Sequence, residues 1–492
     1  MNPIFAVRPA LLFVCLGLGL IPATPGESAP GSLLGTWSGE VHHGSDSKVM
    51  ALRFEVDEKK NAIVAFFDLP DLKFHNLGPI PVQQQGEEYK ADDIAFRFAP
   101  DEQKLTGLWS FDGHKLPFEL KPSAPLPAPG RRRTTELVAK PVWTFKTGGA
   151  IWSSPSSTGD TVYFGSDDGI IYALGADSGK PLWQFKTSGR VKGRPTLDGS
   201  YLYALSDDGQ LYKLERHSGK CVWQFDTHGG SVPRDPSGSG TAAYDDFTSA
   251  ASISDGTVYI GSADKKLYAV DAKAGQEIWH FDTQGIVRST PTVAGRRVFF
   301  GSRDHNIYAV DARTGVLQWK YDTLREVVSS PLVVRGNVYI GSRSSDLLAL
   351  DANTGKVKWK YFYWSSWVES SARTRGGILY VGSSDAQQLF ALNADTGERV
   401  WNFDTDGSAW STPAVTEKRV FIGVVGVLNY IVDHHGGFFA IDRSTGSAVW
   451  SYPMGVIAGS VSYGVASSPT VSHGLVFFGG IDGVFYAFRA DQ

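Results

Sequence analysis

From residue 140 onward, short apolar runs alternate with polar, glycine-containing turns, and the whole pattern recurs about every 40 residues. Residues 258–283, VYIGSADKKLYAVDAKAGQEIWHFDT, show the unit most clearly. Residues 258–260, 267–270 and 277–281 are rich in β-branched and aromatic side chains and predict three strands; Asp271 and Gly275 supply a turn between the last two. A fourth run at 289–293, opening Ser-Thr-Pro, leads through a turn at Gly295 into the next copy. Four antiparallel strands per copy, at this period, predict a β-propeller blade.

A tryptophan closes each unit: Trp143, Trp183, Trp223, Trp279, Trp319, Trp359, Trp401 and Trp450, at intervals of 40, 40, 56, 40, 40, 42 and 49 residues. The first has no blade before it, and the last blade ends near residues 485–489 with no tryptophan strand after it. The two halves complete each other. The expected fold is therefore all-β, an eight-bladed propeller in which the strand near Trp143 becomes the outer strand of the final blade. Each tryptophan reads as blade packing, so truncating one is expected to cost about 3–5 kcal/mol. The turn motif Asp-Ala-x-x-Gly, as in Asp311, Ala312 and Gly315, reads as structural as well.

The pattern YAxDAxTGxxxW, clearest in residues 308–319 and 348–359, resembles the pyrroloquinoline-quinone-type (PQQ-like) propeller repeat across about 350 residues and all eight blades. The resemblance extends to quinoprotein dehydrogenases, to the scaffold propeller of outer-membrane β-barrel assembly, and to secreted or sensor propellers. The first of these implies PQQ with calcium as cofactor; the second implies protein binding. Fold alone does not choose between them. Quinoprotein alcohol dehydrogenases carry an adjacent cysteine pair, which this chain lacks, so their catalytic aspartate is not carried over. Cys15 lies inside an apolar run rather than at its end, unlike a lipoprotein cysteine.

That run, residues 10–21, follows Arg8 and precedes Pro22, and predicts a signal peptide over about residues 1–30, with secretion or periplasmic export. It is too short to span a bilayer, so no transmembrane span is expected in the mature chain. Cys221 would then be the only cysteine, and no disulfide can form. Residues 31–121 leave the repeat. Met50, Leu52, Phe54 and Val56 alternate with their neighbours, as do Ile94, Phe96 and Phe98, and about six or seven strands are expected to pack as a small β-barrel or sandwich. It weakly resembles lipocalin-like barrels fused in front of secreted bacterial enzymes. A filled interior is expected, and a role as the recognition module stays open. Residues 122–139 are a proline-rich linker, and residues 140–492 the propeller.

A formal net charge of −4, with no basic block beyond Arg131, Arg132 and Arg133 in the linker, points away from nucleic acid. The histidines form no HExxH or HxH spacing, there is no GxSxG elbow, and neither catalytic residues nor metal ligands are assigned; Asp433 beside His434 is the nearest approach to a metal pair.

Chemistry is sought where the repeat breaks. Insertions at 228–247 and 424–437, and the segment YFYWSSW at 361–367 with Trp364 and Trp367, fall in connections expected on one face. On the innermost strands, one aligned position reads Trp152, Lys192, Thr248, Arg288, Val328, Glu369, Trp410 and Ala466 around the ring. A packing position would keep one residue type. Trp152, Lys192, Arg288, Glu369, Trp410, Trp364 and Trp367 are therefore the candidate ligand-binding residues, at the mouth of the central channel. The sequence reads as a monomeric propeller scaffold for a protein, peptide or small polar ligand, with a PQQ/calcium oxidoreductase as the alternative.

Overall fold

The computed structural model describes residues 33–491 except 45, 128–136, 233–247, 365 and 429–433. The expected signal segment, Arg131 to Arg133, Asp433 and most of the insertion at 228–247 lie outside the described residues. Contacts divide the chain into two compact units. Among the described residues, only two short 3-10 turns, Pro70–Leu72 and Gly229–Ser231, interrupt an all-β structure.

The N-terminal unit is a nine-stranded antiparallel sheet. Its chain order runs Gly35–His43, Asp46–Asp57, Ala62–Leu69, Phe74–Pro81, Gln83–Gln85, Glu88–Ala91, Ile94–Ala99, Lys104–Phe111 and His114–Ser123. Phe74–Pro81 and Gln83–Gln85 are the two ends of the sheet, and they follow each other in the chain across the fully buried Val82, so the sheet almost closes on itself. The strands beyond the expected six or seven are Phe74–Pro81, with its prolines, and the polar Gln83–Gln85 and Glu88–Ala91, which carry little alternating apolar signal. Trp37, Met50, Phe54, Phe96 and Phe118 fill the interior, with Trp37 edge-on to Phe98 at 5.4 Å.

The second unit is the eight-bladed propeller. Blades one to six follow the chain from Ser156–Thr158 in the first to Arg399–Asp404 in the sixth, each a four-stranded antiparallel sheet. In the eighth, Thr470–Ser472, Leu475–Gly479 and Val484–Arg489 take Trp143–Lys146 as their outer strand, as the unmatched ends of the repeat predict. Phe164 of the first blade stacks on Phe485 of the eighth at 4.0 Å and 6°, which seals the ring. The seventh blade is augmented. Leu137–Val138, in the stretch read from sequence as linker, lies parallel against Ala448–Pro453, so the chain enters on blade seven before closing blade eight.

Two repeated devices join neighbouring blades. The tryptophan of one blade donates its indole N–H to a turn carbonyl of the next, as Trp143 to Ala176 at 2.9 Å, Trp319 to Ala352 at 3.1 Å and Trp401 to Arg443 at 3.1 Å. The ring also lies on the glycine of that turn. A Cβ on Gly355 would sit 2.7 Å from Trp319, and Gly355 has φ +69, so the position demands glycine twice over. The second device is on the second strands: Gly341 leaves room for Val368 of the following blade, while its own N–H donates to Ser329 of the same blade at 3.0 Å.

Candidate functional site

The innermost strands point alternate residues into the central channel, which encloses a cavity of about 680 Å³. All eight aligned positions, Trp152, Lys192, Thr248, Arg288, Val328, Glu369, Trp410 and Ala466, line it. Backbone bonds from Asp167 to Ala150, Arg343 to Glu326 and Ser384 to Trp367 tie each second-to-third-strand turn to the neighbouring outer-to-inner connection. Both kinds of connection thus share one face, and the aligned layer sits at that end of the channel.

Most of this layer is interlocked. Lys192 is 5% exposed; its Nζ lies 4.6 Å over the Trp152 ring and 3.8 Å from Asp167. Trp410, 6% exposed, donates its indole N–H to Ser384 Oγ at 3.0 Å. Glu369 accepts from Arg343 Nε at 2.8 Å, and both side chains are almost completely buried. Arg343 in turn lies 4.4 Å above the Trp367 ring. Burial costs a charge several kcal/mol unless it is paired, so these two fix each other in place. Arg288 is 7% exposed and borders a second hollow of about 230 Å³, lined also by Arg190 and Asp207 and by Thr227, Gly229 and Val232, where the insertion between the second and third blades begins.

Of the candidates, Trp152, Lys192, Arg288, Glu369 and Trp410 come together in the channel; Trp367 reaches it through Arg343 and Glu369. Trp364 packs at 5.5 Å against Phe362, is 4% exposed, and lies outside the lining.

Arg343 escaped the sequence reading, yet the repeat carries its signal. In five blades an aspartate two residues beyond the turn serine, or beyond Gly480 in its place in blade eight, accepts from a tyrosine hydroxyl, as Asp168 from Tyr172 at 2.7 Å and Asp304 from Tyr308 at 2.8 Å. Burial, with that carboxylate beside it, pushes each of these tyrosines well above its ordinary pKa. Blade five has Ser344 and Leu348 there instead, and its turn, with Arg343, is buried.

A further elaboration was also missed. The second strand of blade seven, Arg419–Val427, runs long and pairs with Ser462–Gly464, which follows an extended connection bearing the exposed Val456 and Val461. Tyr463 donates to the His434 carbonyl at 2.8 Å, and His435 Nδ1 lies 3.2 Å from Asp406. The signal was a spacing of 19 residues from Trp450 to Pro469, against 12 from Trp401 to Pro413. It lay where no later tryptophan marks the end of a blade.

Two arginines deeper in the channel, Arg194 and Arg373, were likewise not singled out. Lys192, Arg194, Arg288 and Arg373 face a single lining carboxylate, Glu369. The Arg194 and Arg373 side chains are exposed to the open space of the channel; the protein around it, and after that the charge of Arg373, lower the Arg194 pKa. Among the described residues no group of three or more His, Cys, Asp or Glu is placed to hold a metal ion, and no helix is long and apolar enough to cross a membrane.

The sequence profile of a family described as outer membrane protein assembly factor BamB matches residues 136–251, 246–366 and 363–492. Among solved structures, BamB from Moraxella catarrhalis is similar with a TM-score of 0.55 at 19% identity, over 72% of this chain and 100% of that one. The computationally designed Ika8 protein gives 0.57 at 17%, over 72% and 99%. Quinohemoprotein alcohol dehydrogenase from Comamonas testosteroni gives 0.55 at 14%, over 71% and 76%. At these identities the likeness is one of fold. No curated protein matches the chain.

Proposed function

The chain belongs to the BamB family of PQQ-repeat propellers, and from that premise we propose that it is a secreted or periplasmic binding scaffold, engaging a protein, peptide or small polar ligand through its elaborated face. One observation carries the reading. Positions that pack blades repeat around the ring, whereas the aligned layer at this end of the channel changes chemistry from blade to blade. Packing between like blades gives no reason for that variation; contact with an asymmetric partner does. The long strand of blade seven, its pairing with Ser462–Gly464 and the buried Arg343–Glu369 pair against the half-buried Trp367 build up the same side. Trp152 and Arg288 are the groups to which the reading assigns contact area and anion recognition.

The oxidoreductase alternative asks for a quinone and a calcium ion. Calcium takes roughly six to eight oxygen ligands, usually several of them carboxylates. The lining offers Glu369, already bonded to Arg343. The residues present do not fit a quinone–calcium pair, and no catalytic step is derived through one.

The test places a photocrosslinking residue at Val456 or Val461 on the elaborated face, at Arg335 on a first-to-second-strand turn, and at Lys59 in the N-terminal unit. Partner capture through Val456 or Val461, and not Arg335, is the expected result. Capture only through Lys59 would transfer recognition to the N-terminal unit, and capture only through Arg335 would overturn the choice of face. Titration with PQQ and calcium, read by absorption and dye-linked oxidation of alcohols and aldoses, runs beside it; saturable binding with turnover would replace the scaffold by a quinoprotein.

A further inference from the structure

Below the mouth, the channel changes character. The next residues inward on the same strands, two positions on, read Ser154, Arg194, Ala250, Thr290, Ser330, Ser371, Thr412 and Ser468, all in the lining. Two further on, the lining has Ser156, Thr196, Thr292, Arg373 and Thr470. Apart from Ala250 and one arginine in each layer, these lining residues are hydroxylic, and none is a carboxylate. Arg194 is on blade two and Arg373 on blade six. Four blades apart in a ring of eight, they extend from opposite walls. Arg194 Nε donates to Ser156 Oγ at 2.8 Å, and among the described residues neither guanidinium makes an ion pair.

The hydroxyls of the upper of these layers are held in one sense. The backbone N–H of one blade donates to the hydroxyl oxygen of the next: Ala250 to Thr290 at 3.0 Å, Thr290 to Ser330 at 2.9 Å, Ser330 to Ser371 at 2.8 Å, Thr412 to Ser468 at 2.9 Å and Ser468 to Ser154 at 2.9 Å. Each of these oxygens accepts from the wall, which leaves its O–H to donate into the channel. Donor hydroxyls in a belt, two guanidinium groups from facing walls and no acid at that depth form a site for negative oxygen. Two like charges lining one channel also repel, and an anion between them removes the repulsion. Blade packing asks for neither arginine, because the other blades fill the same positions with serine, threonine, alanine or leucine.

We propose that the propeller channel binds a small, multiply charged oxyanion between Arg194 and Arg373, within the hydroxyl belt and distinct from the layer at the mouth. Phosphate and compact polycarboxylates share this chemistry.

The full chain is titrated with inorganic phosphate at constant ionic strength, with chloride as the balancing salt, and followed by calorimetry and by melting temperature. Saturable binding and a melting temperature that rises with phosphate but not with chloride are expected. Arg194→Gln and Arg373→Gln should each weaken binding about tenfold or more, the loss of one charge-assisted contact, while melting no lower than the parent without phosphate. Line broadening of the phosphorus resonance by the unmodified protein provides a reading that does not depend on the variants folding. Its reversal by citrate assigns the site to polycarboxylates as well, and persistence in citrate assigns it to phosphate. Absence of binding by phosphate and citrate alike, or phosphate binding unchanged in the double variant, would overturn the proposal.

Discussion

The glycine under seven of the eight blade tryptophans allows the ring-closing device to be measured. Gly355 and Gly336 have nearly the same φ, +69 and +72, but their surroundings differ. A Cβ at Gly355 would stand 2.7 Å from Trp319, whereas one at Gly336 would meet nothing within 4 Å. Alanine at Gly336 therefore adds only the cost of a left-handed residue, about 1–2 kcal/mol. Alanine at Gly355 adds the same strain and also lifts an indole that is 9% exposed and bonded to Ala352 at 3.1 Å. Overpacking of this kind costs about 1–3 kcal/mol more, which brings Gly355→Ala to about 2–5 kcal/mol. The two variants are compared by urea unfolding followed by circular dichroism, alone and in a Trp319→Ala background. With the ring gone, the added methyl has nothing to displace, so Gly355→Ala should fall to the cost of Gly336→Ala, a coupling of about 1–3 kcal/mol. Equal costs in the parent, or no coupling, would show that the glycine serves backbone conformation alone and that the indole does not latch adjacent blades.

Deleting residues 137–146 removes the outer strand of blade eight and the fifth strand of blade seven, and hydrogen exchange should rise first in Val484–Arg489 and Ala448–Pro453; unchanged protection there would refute the closure. Glu369→Gln strands a buried arginine and should cost about 3–5 kcal/mol, while Arg343→Met with Glu369→Leu should recover most of it; a cheap single substitution would place the pair in solvent. Hydrogen bonds from Thr314 and Thr354 hold the Asp311 and Asp351 carboxyls below their ordinary 3.8. With the folded value depressed, the stability they add is present above pH 3.8 and is lost as pH falls through the lower folded values. Asn393 makes the same turn in blade six without titrating, so Asp311→Asn with Asp351→Asn should flatten the fall in melting temperature between about pH 5 and pH 2, and an unaltered profile would count against these turns.

The repeat was legible because each blade solves the same packing problem. The tryptophan, the turn glycine and the second-strand glycine recur, since the tryptophan of one blade packs on the turn glycine of the next and the strand glycine makes room for an aliphatic side chain of the next. Even the closure through Trp143 could be read, because an odd strand at either end must pair somewhere. The extra strand at Leu137–Val138 could not, since two exposed apolar residues beside a proline-rich stretch carry no period. The same weakness hid Phe74–Pro81 and Gln83–Gln85.

At the channel, alignment of the repeats was enough to bring eight residues to one layer, because side chains of equivalent strands must project alike. Their states were not legible. Lys192 and Glu369 look in sequence like charges offered to a ligand; the folded chain sets Asp167 and Arg343 against them, from turns 25 and 26 residues away. Arg194 and Arg373 look unrelated, 179 positions apart and in different layers of the repeat. The amino-acid sequence by itself determined the blade, the number of blades and which positions face the axis, because those follow from local periodicity and a repeated neighbour. Which charges neutralise each other and which confront each other across the axis was decided only by the closed ring, because electrostatic interaction depends on distance in space, and closure makes neighbours of residues that no local pattern connects.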